Sequence, residues 1–383
     1  NQQMPVAVMR EWALAQPVAQ VPAIGGRQDV GDGVRALRFA CAGQDAEVDA
    51  ADQRQRVPLP VDVQRRICEV HAPVAASNVD PRAAAAKSNA RRQDLRTWLA
   101  QMEEAGEVTR IAGAEREREI GCIVDIYQRR TGNQAVLFDD IPGYPKGHRI
   151  LANILTSIPR INLTMGNPAN GTEIELVRHW RRYMKEAKTI PPVEVKTGAL
   201  LENVKTGDDI DLFKIPIPRW HEHDGGYYIG TGDMVVMKDP DTGWINYGAY
   251  RVQAHEKNIA TVMCSKGKHG DMIQKKYHER GQPCPVAVVC GMHPALFMIA
   301  GLEIPHGKNE YDAAGGLLGE PVQVIKGPAT GLPIPAHAEI AFEGFIHPND
   351  KIDEGPLGEW TGYYAGGLKK EPAIRVETMM YRD

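Results

Sequence analysis

Five short constellations in this sequence carry residue types that could do chemistry. Asp353-Glu354-Gly-Pro-Leu-Gly-Glu359 sets two carboxylates, Glu354 and Glu359, either side of a Gly-Pro turn. Such a turn breaks strand geometry and lets both acids face one cavity. Two acids beside one arginine suit proton transfer, because the arginine keeps one acid ionised while burial and like charge let the other hold its proton. An exposed acidic turn is the plainer reading. Asn246-Tyr-Gly-Ala-Tyr-Arg251 puts an amide and a guanidinium on one strand-like stretch, Trp244–Val252. The odd offset places them on opposite faces, unless Gly248 bulges or bends the strand. Ser265-Lys-Gly-Lys-His269-Gly is a basic loop that could approach a phosphate or simply be a solvated turn. Ile304-Pro-His-Gly-Lys-Asn-Glu310-Tyr-Asp312 holds acids suited to a helix start, and Gly315, Gly316 and Gly319 beyond it do not fit a dinucleotide fingerprint. His221-Glu-His223-Asp224 could be the histidine pair of a metal-dependent hydrolase, but it lies in loop context rather than after an apolar strand.

The elements that must position these residues follow from periodicity. Leu95, Trp98, Leu99 and Met102 form an amphipathic stripe that Asp94 can cap and Gly106 can end. Ile120, Ile123 and Ile126 mark a second helix, and Val177, Trp180 and Met184 a third that stops before Pro191-Pro192. Ala135–Phe138 and Arg149–Ile154 read as short strands between them. Beyond the proline pair the signal turns to strands: Met234–Met237, Trp244–Val252, Ile259–Cys264, Pro285–Cys290, Val322–Ile325, Ala338–Phe342 and Ala373–Met379. Asp239-Pro-Asp-Thr-Gly243 joins the first two as a hairpin, and Asp271–Glu279 reads as a helix. Many short strands with few helices suggest a barrel or sandwich.

Composition narrows the class. The 383 residues include 45 Lys and Arg against 49 Asp and Glu, a formal charge of −4. That balance argues against nucleic acid or an anionic membrane as the main partner. No apolar run reaches the ~18 residues of a membrane helix. The six cysteines form no CxxC pair, which points to reduced thiols in the cytoplasm. The first 88 residues have no Lys before Lys87 and no Tyr before Tyr127. They are expected to be a poorly ordered or extraneous extension. The chain ends at Asp383 directly after a strand, which suggests a missing C-terminal portion.

Taken together, residues 94–383 resemble the UbiD family of reversible decarboxylases that use prenylated FMN. The motifs carrying the resemblance are Gly225-Gly-Tyr-Tyr228, Asn246 with Arg251, His269, Glu310 with Leu318-Gly-Glu320, Phe342-Glu-Gly344, Glu354-Gly-Pro-Leu-Gly-Glu359 and Met380-Tyr-Arg-Asp383. The resemblance implies an α+β protein, with a small α/β domain over 94–190 and a split β-barrel flavin domain over 191–383. It implies that Asn246, His269 and Glu310 hold a divalent metal, usually manganese, that ties the flavin phosphate to the protein. One amide, one imidazole and one carboxylate suit an octahedral Mn²⁺ better than zinc. Potassium often accompanies it in the family, near Tyr247 and Glu310. Asn246, Tyr247, Gly248, Ala249, Tyr250, Arg251, Lys268, His269 and Glu310 would line the cofactor. Arg251, Glu354 and Glu359 match the catalytic set: Arg251 orients the substrate carboxylate and pairs with Glu354, and Glu359 returns a proton to carbon.

The implied reaction is non-oxidative decarboxylation of an aromatic or α,β-unsaturated acid by a carboxy-lyase. Its partners are the small acid, a flavin prenyltransferase that supplies the cofactor, and, at full length, further copies of the chain. Family members usually continue well beyond the position of Asp383, and the first 88 residues have no counterpart in the family. One alternative is therefore a non-catalytic or incomplete subunit that binds cofactor or assembles with others. Another is a zinc hydrolase built on His221 and His223.

Overall fold

The computed structural model describes residues 94–383, apart from 187–188, 231 and 360, together with two short strands. Those strands, β1 (Phe39–Cys41) and β2 (Gln44–Ala46), pair antiparallel within a unit of their own, Asn1–Pro73. The rest of the expected N-terminal extension lies outside the described residues. Everything else belongs to a second compact unit, Val74–Asp383.

That unit begins with a small α/β layer. Helix α1 (Leu95–Glu104) is capped by Asp94, whose Oδ1 accepts from the Thr97 amide at 2.7 Å, and it buries Trp98, Leu99 and Met102. Gly106, at φ 73°, takes the left-handed turn that follows. Strand β3 (Val108–Ala112), helix α2 (Glu119–Gln128) and strand β4 (Ala135–Asp139) make a parallel crossover, and β5 (Ile150–Ala152) adds antiparallel to β4. Ala135–Phe138 is buried throughout, as a central strand covered on both faces must be. Helix α3 (Ile158–Thr164) and helix α4 (Glu173–Glu186) follow. The sequence reading missed α3. Its Ser157 cap and Pro159 are start signals, but its buried side chains are Arg160, Asn162 and Thr164, so no apolar stripe marks it.

The second half is built on strands. In order they are β6 (Val193–Glu194), β7 (Asn203–Thr206), β8 (Tyr227–Gly230), β9 (Asp233–Lys238), β10 (Ile245–Gly248), β11 (Arg251–Glu256) and β12 (Ile259–Met263). Helix α5 (His269–Glu279), β13 (Cys284–Cys290), α6 (Pro294–Ala300) and α7 (Glu310–Leu318) follow, then β14 (Gln323–Lys326), β15 (Pro333–Pro335), β16 (Ile340–Glu354) and β17 (Lys369–Tyr381). Nine strands form one sheet in the order β10-β9-β13-β16-β17-β12-β11-β8, with β7 branching onto β17. The sheet is curled. Val235 and Val288 from one end of the order pack in one cluster with Val252 and Val262 from the other, together with Phe342, all nearly inaccessible to solvent. On the convex face α6 and α7 cover Met234, Val236, Ala287 and Val289. Each of the methionine and valine side chains contributes roughly 1.5–3 kcal/mol through burial. The result is the mixed α+β, half-barrel fold that the resemblance implied.

The stretch Trp244–Val252 is not one strand. It is β10, at one edge of the sheet, and β11, next to the other edge. Residues 249–250 carry the chain across the gap. Periodicity could not show this, because the residue pattern runs straight through the crossing. Among the described residues no helix is long and apolar enough to cross a membrane, and Cys122, Cys264, Cys284 and Cys290 are free thiols.

Candidate active site

The crossing between β10 and β11 gathers most of the singled-out residues. The hairpin before it is held by Asp239, whose Oδ1 accepts from the amides of Asp241 and Thr242 at 2.9 and 3.0 Å. That hairpin delivers Asn246 on β10. Glu310 arrives as the first residue of α7, which Asn309 caps. Asn246 Nδ2 donates to Glu310 Oε1 at 2.8 Å, and the Tyr247 amide donates to Oε2 at 3.2 Å. Burial pushes the Glu310 carboxyl up to about 7, against the pull of these donors. His269 opens α5, two residues earlier than the sequence pattern placed the helix start, with Nδ1 4.0 Å from Glu310 Oε1. Trp244 packs edge-on to its ring, and burial, followed by His306 and Lys268, lowers its pKa. Asn246 Oδ1 is buried and has no hydrogen-bond partner.

The neighbouring residues shape this corner. Gly248 and Gly270 both lie against the Tyr250 ring, where a β-carbon at either would crowd it. The Tyr250 hydroxyl accepts from the Gly270 amide at 3.1 Å, and the Ala249 amide donates to Ala300 O. Tyr247 packs edge-on to Tyr311, and its hydroxyl donates to Glu310 O at 3.3 Å. Lys268 occupies the cap position of α5, and its ammonium pairs with Glu303 at the surface.

Arg251 opens β11. Its Nη2 donates to Glu354 Oε2 at 2.5 Å, and the Tyr228 hydroxyl donates to Oε1 at 3.0 Å. Glu354, the last residue of β16, is 1% exposed. Burial and the Glu354 charge push the Tyr228 phenol upward, so it stays a donor. The Arg251 Nε is buried without a partner. After Glu354 the chain turns through Gly355-Pro356, whose Gly355 amide donates to Gln253 Oε1 at 3.1 Å. Glu359 follows, half-buried, with its amide donating to Tyr363 O. Among the described residues no hydrogen bond joins the Glu359 carboxylate to Arg251 or Glu354. Glu359 borders a cavity of about 1380 Å³, lined also by Leu357, Ile229, Cys290, Ile340 and Tyr381.

The motif at His221 does something else. Asp224 accepts from the His221 amide at 2.8 Å through Oδ2 and from the Gly358 amide at 2.7 Å through Oδ1. It thus fastens the turn that carries Glu359. The His223 amide donates to the Tyr364 hydroxyl. No group of three His, Cys, Asp or Glu side chains suited to a metal is found among the described residues. The sequence reading missed the roles of Asp224, Tyr228 and Gln253. The available signal for Asp224 and Tyr228 was their place beside and in the quoted Gly225-Gly-Tyr-Tyr228 motif; Gln253, on β11, carried none.

The matches to known proteins fall on these same segments. Residues 192–383 match the 3-octaprenyl-4-hydroxybenzoate carboxy-lyase Rift-related domain, and residues 99–180 the corresponding N-terminal domain. The chain belongs to the UbiD family. Within it, the chain is 33% identical to the pyrrole-2-carboxylic acid decarboxylase of Pseudomonas aeruginosa over 69% of its own length and 54% of that protein's. It is also 33% identical to a phenolic acid decarboxylase of Streptomyces over 76% and 61%. UbiD-class structures superpose well. The vanillic acid decarboxylase of Sedimentibacter hydroxybenzoicus in its closed form gives a TM-score of 0.72 at 27% identity, covering 77% of this chain and 63% of that one. An evolved dimeric HmfF from Pelotomaculum thermopropionicum in complex with prFMN gives 0.68 at 26% identity, covering 76% and 65%. The chain therefore spans less than two thirds of the length of these UbiD proteins.

Proposed function

We propose that this chain carries the cofactor and catalytic residues of a reversible, non-oxidative decarboxylase of aromatic or α,β-unsaturated acids. The observation that carries the reading is the Arg251–Glu354 pair, buried and supported by Tyr228, set one strand crossing away from the Asn246–Glu310–His269 corner. The named activities of the UbiD relatives agree with it.

The corner fits a hard divalent cation. It offers a buried amide oxygen with no partner, a buried carboxylate that the same amide group touches at 2.8 Å, and an imidazole nitrogen 4.0 Å from that carboxylate. Asn246, His269 and Glu310 would hold Mn²⁺, with K⁺ beside Tyr247 and Glu310. Residues 246–251, Lys268 and His269 would line prenylated FMN, supplied by a flavin prenyltransferase. That group, when bound, provides the sink for the electrons left as CO₂ departs.

The protein's own part is orientation and proton transfer. The Arg251 guanidinium binds the substrate carboxylate, and Glu354 fixes the guanidinium. Tyr228 satisfies the other oxygen of Glu354, so both oxygens of that carboxyl are held in place. Glu359 holds the proton that the carbon receives after CO₂ leaves, and takes it back in the carboxylation direction. The acid itself occupies the cavity that Glu359 borders. We assign two working regions, 94–190 and 191–383, in a cytoplasmic enzyme whose longer form self-associates. The free thiols suit a reducing compartment.

Native mass spectrometry with metal analysis, after co-production with a flavin prenyltransferase, tests this. The expected result is prenylated FMN and about one manganese per chain, both lost in Asn246→Ala and Glu310→Ala. The share of relatives' length that the chain spans favours one second reading, an incomplete or non-catalytic subunit. That reading predicts cofactor retention only with a longer chain. A parent that carries zinc and no flavin would overturn both.

A further inference from the structure

The concave face of the sheet holds one carboxyl that the site above does not use. Asp233 opens β9 and lies directly opposite Cys290 on β13; Cys290 lies opposite Ile340 on β16, and Ile340 opposite Tyr381 on β17. Directly opposed residues share a face, so Tyr381, Ile340, Cys290 and Asp233 form one row. The first three line the cavity that Glu359 borders, as does Gly232 beside Asp233. Asp233 ends the row, fully buried, and neither carboxyl oxygen has a hydrogen-bond partner. Its own amide approaches but does not reach hydrogen-bonding geometry. On the other side the carboxyl lies flat against Gly230, where a β-carbon would collide with it.

A residue of this kind costs stability. The same face otherwise carries Val235, Met237, Val286 and Val288, and a valine at 233 would fit it without an unpaired polar group. A buried unpaired polar group costs roughly 1–3 kcal/mol. Burial pushes the carboxyl well above its ordinary range, which favours the protonated form, a group that both donates and accepts. What it lacks is a partner, while Gly232 before it and Cys290 across from it line the cavity.

We propose that Asp233 is a specificity-determining residue that hydrogen-bonds a neutral ring N–H or ring hydroxyl of the acid held in the cavity. This rests on the decarboxylase reading. It makes the pocket prefer a ring bearing such a group to an isostere without it, since the isostere leaves the carboxyl unpaired.

Calorimetric titration of the cofactor-loaded protein tests the idea with two matched pairs, pyrrole-2-carboxylate against furan-2-carboxylate and 4-hydroxybenzoate against benzoate. The parent is expected to prefer the first member of at least one pair about tenfold. Asp233→Val is expected to erase that preference and to melt no lower than the parent. Asp233→Asn, which keeps a donor and an acceptor, is expected to retain part of it. In turnover the loss should fall on KM rather than kcat. An unchanged preference in Asp233→Val, with binding intact, would overturn this proposal alone. Failure of the parent to bind any of the four acids would overturn the decarboxylase reading with it.

Discussion

Asn246 and Arg251, five residues apart in sequence, stand on β10, at one end of the sheet's strand order, and on β11, next to the other end. The two residues between those strands, Ala249 and Tyr250, bridge the ends of a curled sheet. One short peptide therefore supplies the amide of the proposed metal corner and the guanidinium of the proposed catalytic pair. In a flat sheet the two would lie several strands, of roughly 4.8 Å each, apart. Curling is what makes cofactor site and proton-transfer site neighbours, and the tests below probe the parts that hold them so.

The Arg251–Glu354 pair should behave as a buried ion pair. Glu354 is 1% exposed, so Arg251→Ala leaves a carboxylate without its cation. We expect a loss of about 3–5 kcal/mol in chemical denaturation. The double variant Arg251→Met with Glu354→Leu should recover most of that stability while activity stays abolished. A single Arg251→Ala as stable as the parent would mean the pair does not hold this end of the sheet.

Asp239 ties the hairpin before Asn246 to α5 through Lys276 and to its own turn through two amides. Burial alone would raise its pKa; the Lys276 and amide hydrogen bonds outweigh that and bring it down to about 2. A carboxyl with a lowered folded-state pKa stabilises above its unfolded value and loses the contribution as pH falls through the folded value. Asp239→Asn should therefore cost about 2 kcal/mol at neutral pH, with the gap from the parent closing between about pH 4 and pH 2. Melting curves across that range would show it, and a gap independent of pH would contradict the assignment.

What the sequence made legible was local. The stripe of α1 with its Asp94 cap, the helices α2 and α4, and the Asp239–Gly243 hairpin all follow from spacing and turn chemistry. α6 was not legible as a helix, because Pro294, Leu296, Met298 and Ile299 are buried on every side and an all-round apolar helix has no period. The site residues were legible as a set only through the resemblance. Their own spacing placed Asn246 and Arg251 on opposite faces of one strand, and nothing local announces that the chain changes edge between them. Asp224 looked like a metal neighbour because its partner, Gly358, is 134 residues away.

Gly225 should be as sensitive as a catalytic residue without touching substrate. Its amide donates to Pro356 O at 2.8 Å, and its α-carbon lies so close to Gly355 O that no β-carbon fits. Gly225→Ala must push on the turn that follows Glu354 and leads to Glu359. A displacement of about 1 Å there is expected to lower kcat/KM roughly a hundredfold. Gly366→Ala, where the nearest atoms are the end of the Lys369 side chain at 3.6 Å and 3.8 Å, should be silent and serves as the control.

Glu359 and Glu354 should separate in their kinetic signatures, because only one has a fixed partner. Glu354 is held by Arg251 and Tyr228, and Glu354→Gln should raise KM as the guanidinium loses its anchor. Glu359 borders the cavity, joined to neither. As the proton carrier it should tolerate Gln for cofactor and metal retention but not for turnover. We expect Glu359→Gln to keep flavin and metal at parental levels while kcat falls about 10²–10⁴-fold. Glu359→Asp should recover part of that loss, and the solvent deuterium effect on the parent should be absent from the residual rate of Glu359→Gln. If Glu359→Gln turned over at the parental rate, the proton would have to come from elsewhere in the cavity, and Tyr381 and Cys290 on its lining would be the next groups to replace.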